Sequence, residues 1–345
     1  MLQRHGNRPR RQRVGHEEMT VFAQAADREE QVAWLDASGV VSDAGHLRVS
    51  IALEAGAWNA SREISELHPE GQHNRAVITD IGGRRFEWGS RTYVMGIVNV
   101  TPDSFSGDGL GSDQQAAITQ GLRMVGEGAD MLDVGGESTR PGHLPITTAE
   151  EIARTEAVVR HLARESGVPV SIDTYKLEVA EAAVAAGATI LNDIWGLTRS
   201  PLLAQLAARH GCALVLMHNQ DGTDYEGDIM TEIKRFLQES ARRAEEAGVP
   251  RERVLIDPGI GFGKTAEQNW IVMRRLDELR EVGRPVLIGT SRKSFIGKLL
   301  DLPVIERLEG TAATVAASVL RGVDVVRVHD VLAMTRVVRV ADHMR

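Results

Sequence analysis

The chain of 345 residues has one cysteine and no apolar run that approaches the length of a membrane span. The lone Cys212 excludes an internal disulfide, and its place at the start of an apolar run indicates a small buried residue. A membrane helix needs about 20 apolar residues in succession, and the N-terminal residues lack the apolar stretch of a secretion signal. We therefore expect a cytoplasmic protein with no membrane association.

A positively charged body and clusters of metal ligands are also missing. The net charge is −8, and residues 1–16 carry five arginines and no acid, so residues 17–345 carry −13. A nucleic-acid-binding protein would need a basic surface, which argues against that class of partner. The histidines are scattered and there is no HExxH motif or cysteine pair, so a zinc site is not expected. Magnesium, which needs few protein ligands, remains compatible.

Eight short apolar runs between Val94 and Asp330 end abruptly on polar residues. They are separated by about 20 to 40 residues, enough for a loop, a helix and a return loop. A glycine that can end a helix in the left-handed conformation precedes each run after the first. The runs end at Asn99, Glu137, Asp173, Asp193, His218, Asp257, Lys293 and His329, and the glycines are Gly128, Gly167, Gly187, Gly211, Gly248, Gly283 and Gly322.

The runs are nearly continuous in apolar residues, as expected for parallel strands covered on both faces. Eight such units predict a (β/α)8 TIM barrel over residues 77–345, with functional groups at the carboxyl ends of the strands. The alternation of Leu47, Val49, Ile51 and Leu53 predicts a half-exposed strand. Residues 77–88 predict a β-hairpin that closes the barrel bottom, with its turn at Gly82 and Gly83. We assign residues 1–19 to a disordered basic tail, with an organellar transit peptide or a start at Met19 as alternatives, and residues 20–76 to an extension of unknown role.

Local signals also predict the helix starts. Thr148 with Glu151 fits a capping box, and Ser200 before Pro201 fits an N-cap followed by the first helical residue. Ser294 is predicted to begin a short helix, whose amide groups could hold a carboxylate. Apolar residues at helical spacing between Ile229 and Ala244 predict one buried face.

Polar residues at the strand ends would converge on one mouth of the barrel. Singly, each is more simply explained as a helix cap, but their shared position indicates a binding site of mixed charge. Its cations come from the seventh and eighth strands, where such barrels frequently bind phosphate. The convergent residues are Asn99, Asp173, Asn192, Asp257, Lys293, Arg327 and His329, and Arg292 adds a cation beside Lys293.

The segment DPGIGFGKT ends like a P-loop but is not one. The position five residues before Gly263 is Pro258 instead of the required glycine, and the spacing of its glycines is not GxGxxG. We therefore do not expect a nucleotide-binding loop here.

Eight segments in order along the barrel together resemble dihydropteroate synthase. They read MGIVNVTPDSFSGDG, DVGGESTRPG, SIDT, NDIWG, LMHNQ, DPGIGFGK, IGTSRKSFIG and VRVHDV. The resemblance implies condensation of 6-hydroxymethyl-7,8-dihydropterin diphosphate with p-aminobenzoate, releasing pyrophosphate, in folate biosynthesis. It also implies Mg²⁺ as cofactor, sulfonamides as competitive inhibitors and a homodimer formed through barrel helices.

The resemblance further implies a division of roles among the site residues. The pterin would be held by Asp173, Asn192, Met217, Asp257, Phe262, Gly289, Lys293 and Arg327. Asn99 would bind the metal and, with Arg327 and His329, the diphosphate. The p-aminobenzoate site would comprise Phe105, Thr139, Arg140, Pro141, Arg292, Lys293 and Ser294, and Asp103 would join Asn99, Lys293, Arg327 and His329 as catalytic residues.

Two departures from the family pattern and two rival functions remain open. The segment MHNQDGTDY stands where many relatives have MHMQGTP, which leaves the role of His218 open, and the N-terminal region has no match. A pterin-binding methyltransferase that serves a corrinoid would share the pterin-holding residues, but would not need ESTRPG and TSRKS. A catalytically silent pterin-binding paralogue should have lost Asn99, Arg327 or His329, and all three are present.

Overall fold

The computed structural model describes residues 37–41, 47–51, 77–100, 110–138 and 145–345. The chain divides into two units, residues 1–73 and 74–345. In the first unit, β1 (Ala37–Val41) and β2 (Leu47–Ile51) form an antiparallel pair. The strand predicted from Leu47 therefore exists, while Leu53 lies outside the described residues.

A hairpin of β3 (Ile78–Ile81) and β4 (Arg84–Glu87) closes the bottom of the barrel, as predicted. Its turn residues Gly82 and Gly83 have φ angles of 57° and 77°, which favour glycine. The Thr79 hydroxyl donates to the carbonyl of Glu252 at the foot of a barrel strand, 2.6 Å away. Buried aromatic side chains of this segment pack with residues from the barrel interior, and they are Phe86, Trp88 and Tyr93.

Eight parallel strands form the barrel, which confirms the predicted fold class. Neighbouring strands pair in chain order, and a parallel bridge between Ile256 and Val286 connects the two outermost strands. The strands are β5 (Tyr93–Asn99), β6 (Met131–Gly135), β7 (Val170–Asp173), β8 (Ile190–Asp193), β9 (Ala213–Met217), β10 (Val254–Asp257), β11 (Leu287–Ile288) and β12 (Val325–Val328).

Helices follow the barrel strands and pack on their outer faces. They are α1 (Leu110–Gly126), α2 (Thr148–Glu165), α3 (Leu177–Ala186), α4 (Leu202–His210), α5 (Ile229–Glu246), α6 (Ala266–Arg274), α7 (Ser294–Leu300), α8 (Leu308–Leu320) and α9 (Val331–Met344). Every glycine predicted to precede a strand has a positive φ angle. Of the helices in the described ranges, none is long and apolar enough to cross a bilayer.

Two helix starts differ from the prediction by one residue. The N-cap of α2 is Thr147, whose hydroxyl accepts from the amide of Glu150, so the Thr148 prediction was wrong. Helix α4 begins at Leu202 with Pro201 as its cap, so Ser200 is not the N-cap. In both places neighbouring residues could serve as the cap, and the local pattern does not choose between them.

The inward faces of the strands divide the barrel interior into two levels. The lower level is apolar and includes Met95, Met131, Ile190, Val215, Leu255, Leu287 and Val325, which pack on the hairpin. Because side chains alternate along a strand, residues two positions further on point inward at a higher level. There the strands carry Asp133, Asp257 and Arg327. The alternation therefore places a polar layer on an apolar base.

Candidate active site at the barrel mouth

Arg327 is the central cation of the mouth and bonds to two carboxylates. Its Nε donates to Asp133 Oδ2 and its Nη2 donates to Asp173 Oδ2, both over 2.6 Å. Burial alone would lower the pKa of Arg327, but the charges of Asp133 and Asp173 outweigh it and raise the pKa. The guanidinium therefore stays charged and is held at two points.

Asp133 was not among the predicted site residues. It lies inside β6 with no solvent exposure, and its Oδ2 also accepts from Asn192 Nδ2, 3.0 Å away. The sequence does contain one signal for this residue. Asp133 is spaced by two from Met131 and Gly135, so its side chain points to the same inward face of a strand that is otherwise apolar. A carboxylate at such a position needs a cationic or donor partner.

The carboxylate of Asp173 lies at the carboxyl end of β7. Burial raises its pKa to about 7, an effect that the charge of Arg327 opposes and that of Asp133 reinforces. The Oδ1 atoms of Asp133 and Asp173 are buried and have no hydrogen-bond partner among the described residues. The free Oδ1 acceptor of Asp173, at the end of its strand, fits a ligand with N–H donors.

Lys293 reaches into the mouth from the start of α7. Its ammonium donates to the carbonyl of Ile260 and lies 4.2 Å from the centre of the Phe262 ring. A Cβ at Gly261 would come within 2.7 Å of Lys293 Cδ, so the missing side chain lets the lysine pass. Burial lowers the pKa of Lys293 to about 8, although the charge of Asp257 opposes this.

Asp257 ends β10 and begins the glycine-rich loop. Its Oδ1 accepts from the amide of Gly259 over 2.7 Å, and burial raises its pKa. A Cβ on Gly259 would lie 1.9 Å from the carbonyl oxygen of His218, so the loop can approach β9 only with glycine there. The glycines thus permit close backbone packing.

Lys264, which resembles a P-loop lysine in the sequence, is buried inside this loop. Its ammonium contacts His218 Nδ1 at 3.1 Å, the Gly259 carbonyl at 3.0 Å and the Phe262 carbonyl at 3.1 Å. Burial lowers the pKa of Lys264 to about 7 and that of His218 to about 3. His218 is therefore a neutral acceptor in the loop scaffold.

Met217, at the end of β9, and Gly289, just after β11, belong to the two sides of β10. Met217 is buried at the end of β9, and its Cγ would lie 3.3 Å from a Cβ on Gly259. A Cβ on Gly289 would lie 3.8 Å from Arg327 Cβ. Gly289 therefore leaves space beside the guanidinium, where a flat ring could stack.

The polar residues after β11 and β12 have different partners and different exposure. His329 Nδ1 lies 3.0 Å from Ser291 Oγ, which also accepts from the His329 amide. Arg292 pairs with Asp330 through Nε and Nη2, at 2.9 and 2.5 Å. Ser294 is exposed at the first position of α7. In this structure the Arg292 charge is thus already neutralised by a neighbouring acid.

A second buried ion-pair cluster lies where the loop after β6 leaves and rejoins the barrel. Lys176 Nζ donates to Glu137 Oε2 at 2.6 Å, to Glu151 Oε2 at 2.8 Å and to the carbonyl of Ile146 at 2.8 Å. We call these four residues the loop-base cluster. The predicted ligands Asp103, Phe105, Thr139, Arg140 and Pro141 lie outside the described residues.

The surroundings of Asn99 decide whether a magnesium ion fits. In the described ranges no group of three or more His, Cys, Asp or Glu side chains is placed to hold a metal. Asn99 Oδ1 and Asp173 Oδ2 would lie 3.8 and 3.9 Å from a Cβ on Gly135, so the glycine leaves a gap between two oxygens. A small set of oxygen donors suits Mg²⁺, which also binds phosphates of a substrate.

Known proteins that resemble the chain match it through the barrel. Residues 95–329 match the model of the pterin binding enzyme family. The chain is 47% identical over 263 residues to the dihydropteroate synthase of Clostridium beijerinckii, covering 76% of this chain and 97% of that protein. The chain belongs to the dihydropteroate synthase family.

Solved structures of this family agree with the fold. Dihydropteroate synthase of Xanthomonas albilineans with 4-aminobenzoic acid is 41% identical, with a TM-score of 0.74, and the match covers 78% of this chain and 98% of that one. The Yersinia pestis dihydropteroate synthase with a sulfonamide drug is 37% identical, with a TM-score of 0.73 and coverages of 78% and 99%. The protein is therefore a transferase of folate biosynthesis, which confirms the function predicted from the motifs.

Proposed function

We propose that the mouth of the barrel performs the dihydropteroate synthase reaction, with the cluster of Arg327, Asp173 and Lys293 as its pterin-binding centre. The observation that carries this proposal is the double ion pair of Arg327 with Asp133 and Asp173, together with the buried Asp173 Oδ1, which has no hydrogen-bond partner among the described residues. A pterin presents a donor-rich edge, acceptor atoms and a flat face. The centre offers acceptors, a lysine donor and a guanidinium face in return.

The proposed pterin contacts follow from these positions. Asp173 and Asp257 would accept from ring N–H groups, and Asn192 and Lys293 would complete the polar contacts. Met217 and Phe262 would shape the slot, and Gly289 would leave room for the ring to stack on Arg327. In their anionic forms, both carboxylates would stabilise positive charge that develops on the ring. That charge would in turn oppose the effect of burial, which raises the pKa of both groups.

We assign the diphosphate to the part of the mouth formed by Asn99, Arg327 and His329. The cations would neutralise the departing pyrophosphate, and a Mg²⁺ held by Asn99 and the phosphates would supply further electrostatic stabilisation. The C–O bond to the pterin methylene breaks, its electron pair leaves with the pyrophosphate, and a cation delocalised over the ring remains. The electron pair of the amine then forms the new C–N bond. The resulting aryl ammonium is acidic and gives its proton to solvent or pyrophosphate, so no strong general base is needed.

We place p-aminobenzoate between the loops after β5 and β6 and the start of α7. Ser294 and Lys293 would receive its carboxylate, and Asp103, Phe105, Thr139, Arg140 and Pro141 would surround its ring. Arg292 would join them only on leaving Asp330. A sulfonamide resembles the amine substrate and should compete with it. We also propose that the reaction depends on Mg²⁺ and that the protein is cytoplasmic.

Pyrophosphate release separates the synthase from its rivals. With both substrates and Mg²⁺ present, the synthase should release one pyrophosphate for each dihydropteroate formed, and sulfonamide should raise the Michaelis constant for p-aminobenzoate. A silent paralogue would bind dihydropterin diphosphate and release nothing. A corrinoid methyltransferase would accept a methylated pterin instead and leave the diphosphate intact.

A further inference from the structure

One of the two carboxylates that pair with Arg327 has no solvent exposure. Asp133 lies in the middle of β6, is fully buried, and pairs in register with Ile97 and Ser171 on the neighbouring strands. Met131, two residues earlier with the same inward parity, is part of the apolar base. Asp133 therefore lies two positions deeper along β6 than Gly135, the register partner of Asp173.

An acid at this position is not explained by stability. Taking a carboxylate and a guanidinium out of water costs more than their attraction commonly returns, and well-packed apolar residues are often at least as stable. The Oδ1 atom of Asp133 adds to this cost because it has no hydrogen-bond partner among the described residues. The function of Asp133 is therefore to be found in the neighbouring side chains that it positions.

Asp133 fixes the plane of the Arg327 guanidinium. Nε bonds to Asp133 and Nη2 bonds to Asp173, so two different carboxylates bind the same edge of the group. Two contacts on one edge stop rotation about the terminal bonds of the arginine. The guanidinium face and the Nη1 amino group take no part in these pairs and can face a ligand.

Asp133 also determines which end of the Asn192 side-chain amide faces the barrel interior and which end is left for a ligand. A carboxylate can only accept, so the Nδ2 end of Asn192 must face Asp133, as it does at 3.0 Å. The carbonyl end is consequently presented as an acceptor on the other side of the amide. An asparagine at position 133 would permit either amide orientation at Asn192 and would remove that selection.

We propose that Asp133 is a positioning residue for pterin: it orients Arg327 and Asn192 together without touching the substrate. This inference rests on the proposed function and adds to it. Since pterin and diphosphate both use the oriented groups, Asp133 should influence dihydropterin diphosphate far more than p-aminobenzoate, whose proposed contacts lie on the loops and α7.

The first experiment compares Asp133→Asn with Ser171→Ala. Ser171 is the register partner of Asp133, is also fully buried, and its Oγ has no partner among the described residues, so it controls for disturbance of the same layer. We expect Asp133→Asn to raise the Michaelis constant for dihydropterin diphosphate about tenfold to hundredfold. The constant for p-aminobenzoate should change less than about threefold in both variants, and Ser171→Ala should resemble the wild type.

The second experiment asks whether Asp133 acts through Asn192. In an Asn192→Ala background, Asp133→Asn should have a smaller effect on the dissociation constant of dihydropterin diphosphate, measured by calorimetry, than it has in the wild type. Asp133→Ser, which keeps an acceptor but removes the charge, serves if Asp133→Asn does not fold. Equal changes for both substrates, or a fully additive double variant, would overturn the proposal.

Failure of the proposed function would look different. A wild-type protein that released no pyrophosphate would contradict the synthase assignment, while the calorimetric cycle on dihydropterin diphosphate would still test Asp133.

Discussion

At the residue scale, two groups of opposite charge at the mouth titrate close to neutrality. Burial raises the pKa of Asp173 to about 7 and lowers that of Lys293 to about 8. In the proposed site Asp173 acts as the anion, present above pH 7, and Lys293 as the cation, present below pH 8. We therefore expect kcat/KM for dihydropterin diphosphate to be highest between about pH 7 and 8, falling about tenfold per unit outside this range.

A conservative variant of Lys293 would show whether this residue causes the fall in kcat/KM above pH 8. Lys293→Arg keeps its charge at high pH, so the fall above pH 8 should disappear while the acid limb stays in place. Stopped assays across pH 6 to 10, with Lys234→Arg as a control distant from the mouth, would measure this. An alkaline limb that does not move would show that Lys293 is not the titrating cation.

Truncations should separate the proposed roles of Lys293 and Asn99. Lys293→Ala should raise the Michaelis constants of both substrates, because the ammonium is assigned to both. Asn99→Ala should raise the Mg²⁺ concentration needed for half-maximal rate, with about wild-type affinity for a pterin that lacks the diphosphate. Initial rates over a Mg²⁺ series and pterin titrations would check this, and equally small effects of the two variants would contradict the assignment.

Strand-end residues could be predicted because their position depends on a local pattern. An apolar run that stops on Asp or Asn indicates both the strand and its carboxyl end, so the positions of Asp173 and Asp257 at the barrel mouth were predicted without knowledge of contacts. Asp133 and Lys176 were not found, because their significance depends on partners far away in the chain. Arg327 is 194 residues from Asp133, and no local pattern connects them.

At the element scale, the loop-base cluster connects the loop after β6 to α2 and β7. Lys176 is the cation between two buried acids, Glu137 and Glu151. Removing it leaves both acids without this charge, so Lys176→Met should lower the free energy of unfolding by about 3 kcal/mol. Urea denaturation would measure this loss. Arg242→Met, which breaks exposed pairs on α5, should cost less than about 1 kcal/mol; equal losses would contradict a special role for the cluster.

The hairpin at the barrel bottom should contribute strongly to stability. Phe86 is buried against Trp88 and Tyr93, with ring centroids 5.3 and 4.9 Å away. Phe86→Ala should therefore lower the free energy of unfolding by about 3 to 5 kcal/mol. Ile78→Ala on the same hairpin, at a position that is 44% exposed, should change it by less than about 1 kcal/mol. Similar values from denaturation would mean that the hairpin does not close the core.

Element prediction succeeded where periodicity was strong. Apolar runs predict the eight strands, and the glycines before them mark helix ends. Both are local signals that can be read without knowledge of tertiary contacts. The cap of α2 differed by one residue because Thr147 and Thr148 both fit, and only the direction of the incoming chain selects Thr147.

At the scale of the whole molecule, exposed apolar side chains are concentrated on one part of the barrel exterior. In the described ranges most of the large ones lie on α7 to α9 and the connection between α7 and α8, and they are Leu299, Leu300, Val304, Ile305, Leu308, Leu320, Leu332, Val340 and Met344. Patches of this kind commonly mark protein interfaces. The predicted homodimer should therefore use this surface.

Sedimentation velocity would test the dimer. The wild type should sediment as a dimer at micromolar concentration, and Ile305→Asp, at the most exposed of these positions, should shift it toward monomer. Leu202→Asp, an exposed apolar position on α4, serves as the control and should leave the assembly unchanged. A wild-type monomer would contradict this prediction without affecting the barrel chemistry.

The central claim concerns the reaction, and coupled pyrophosphate release tests it most directly. The purified chain of residues 1–345, supplied with dihydropterin diphosphate, p-aminobenzoate and Mg²⁺, should release pyrophosphate and dihydropteroate in equal amounts. Omission of p-aminobenzoate should stop dihydropteroate formation. Tight binding of dihydropterin diphosphate without pyrophosphate release when both substrates are present would contradict the account.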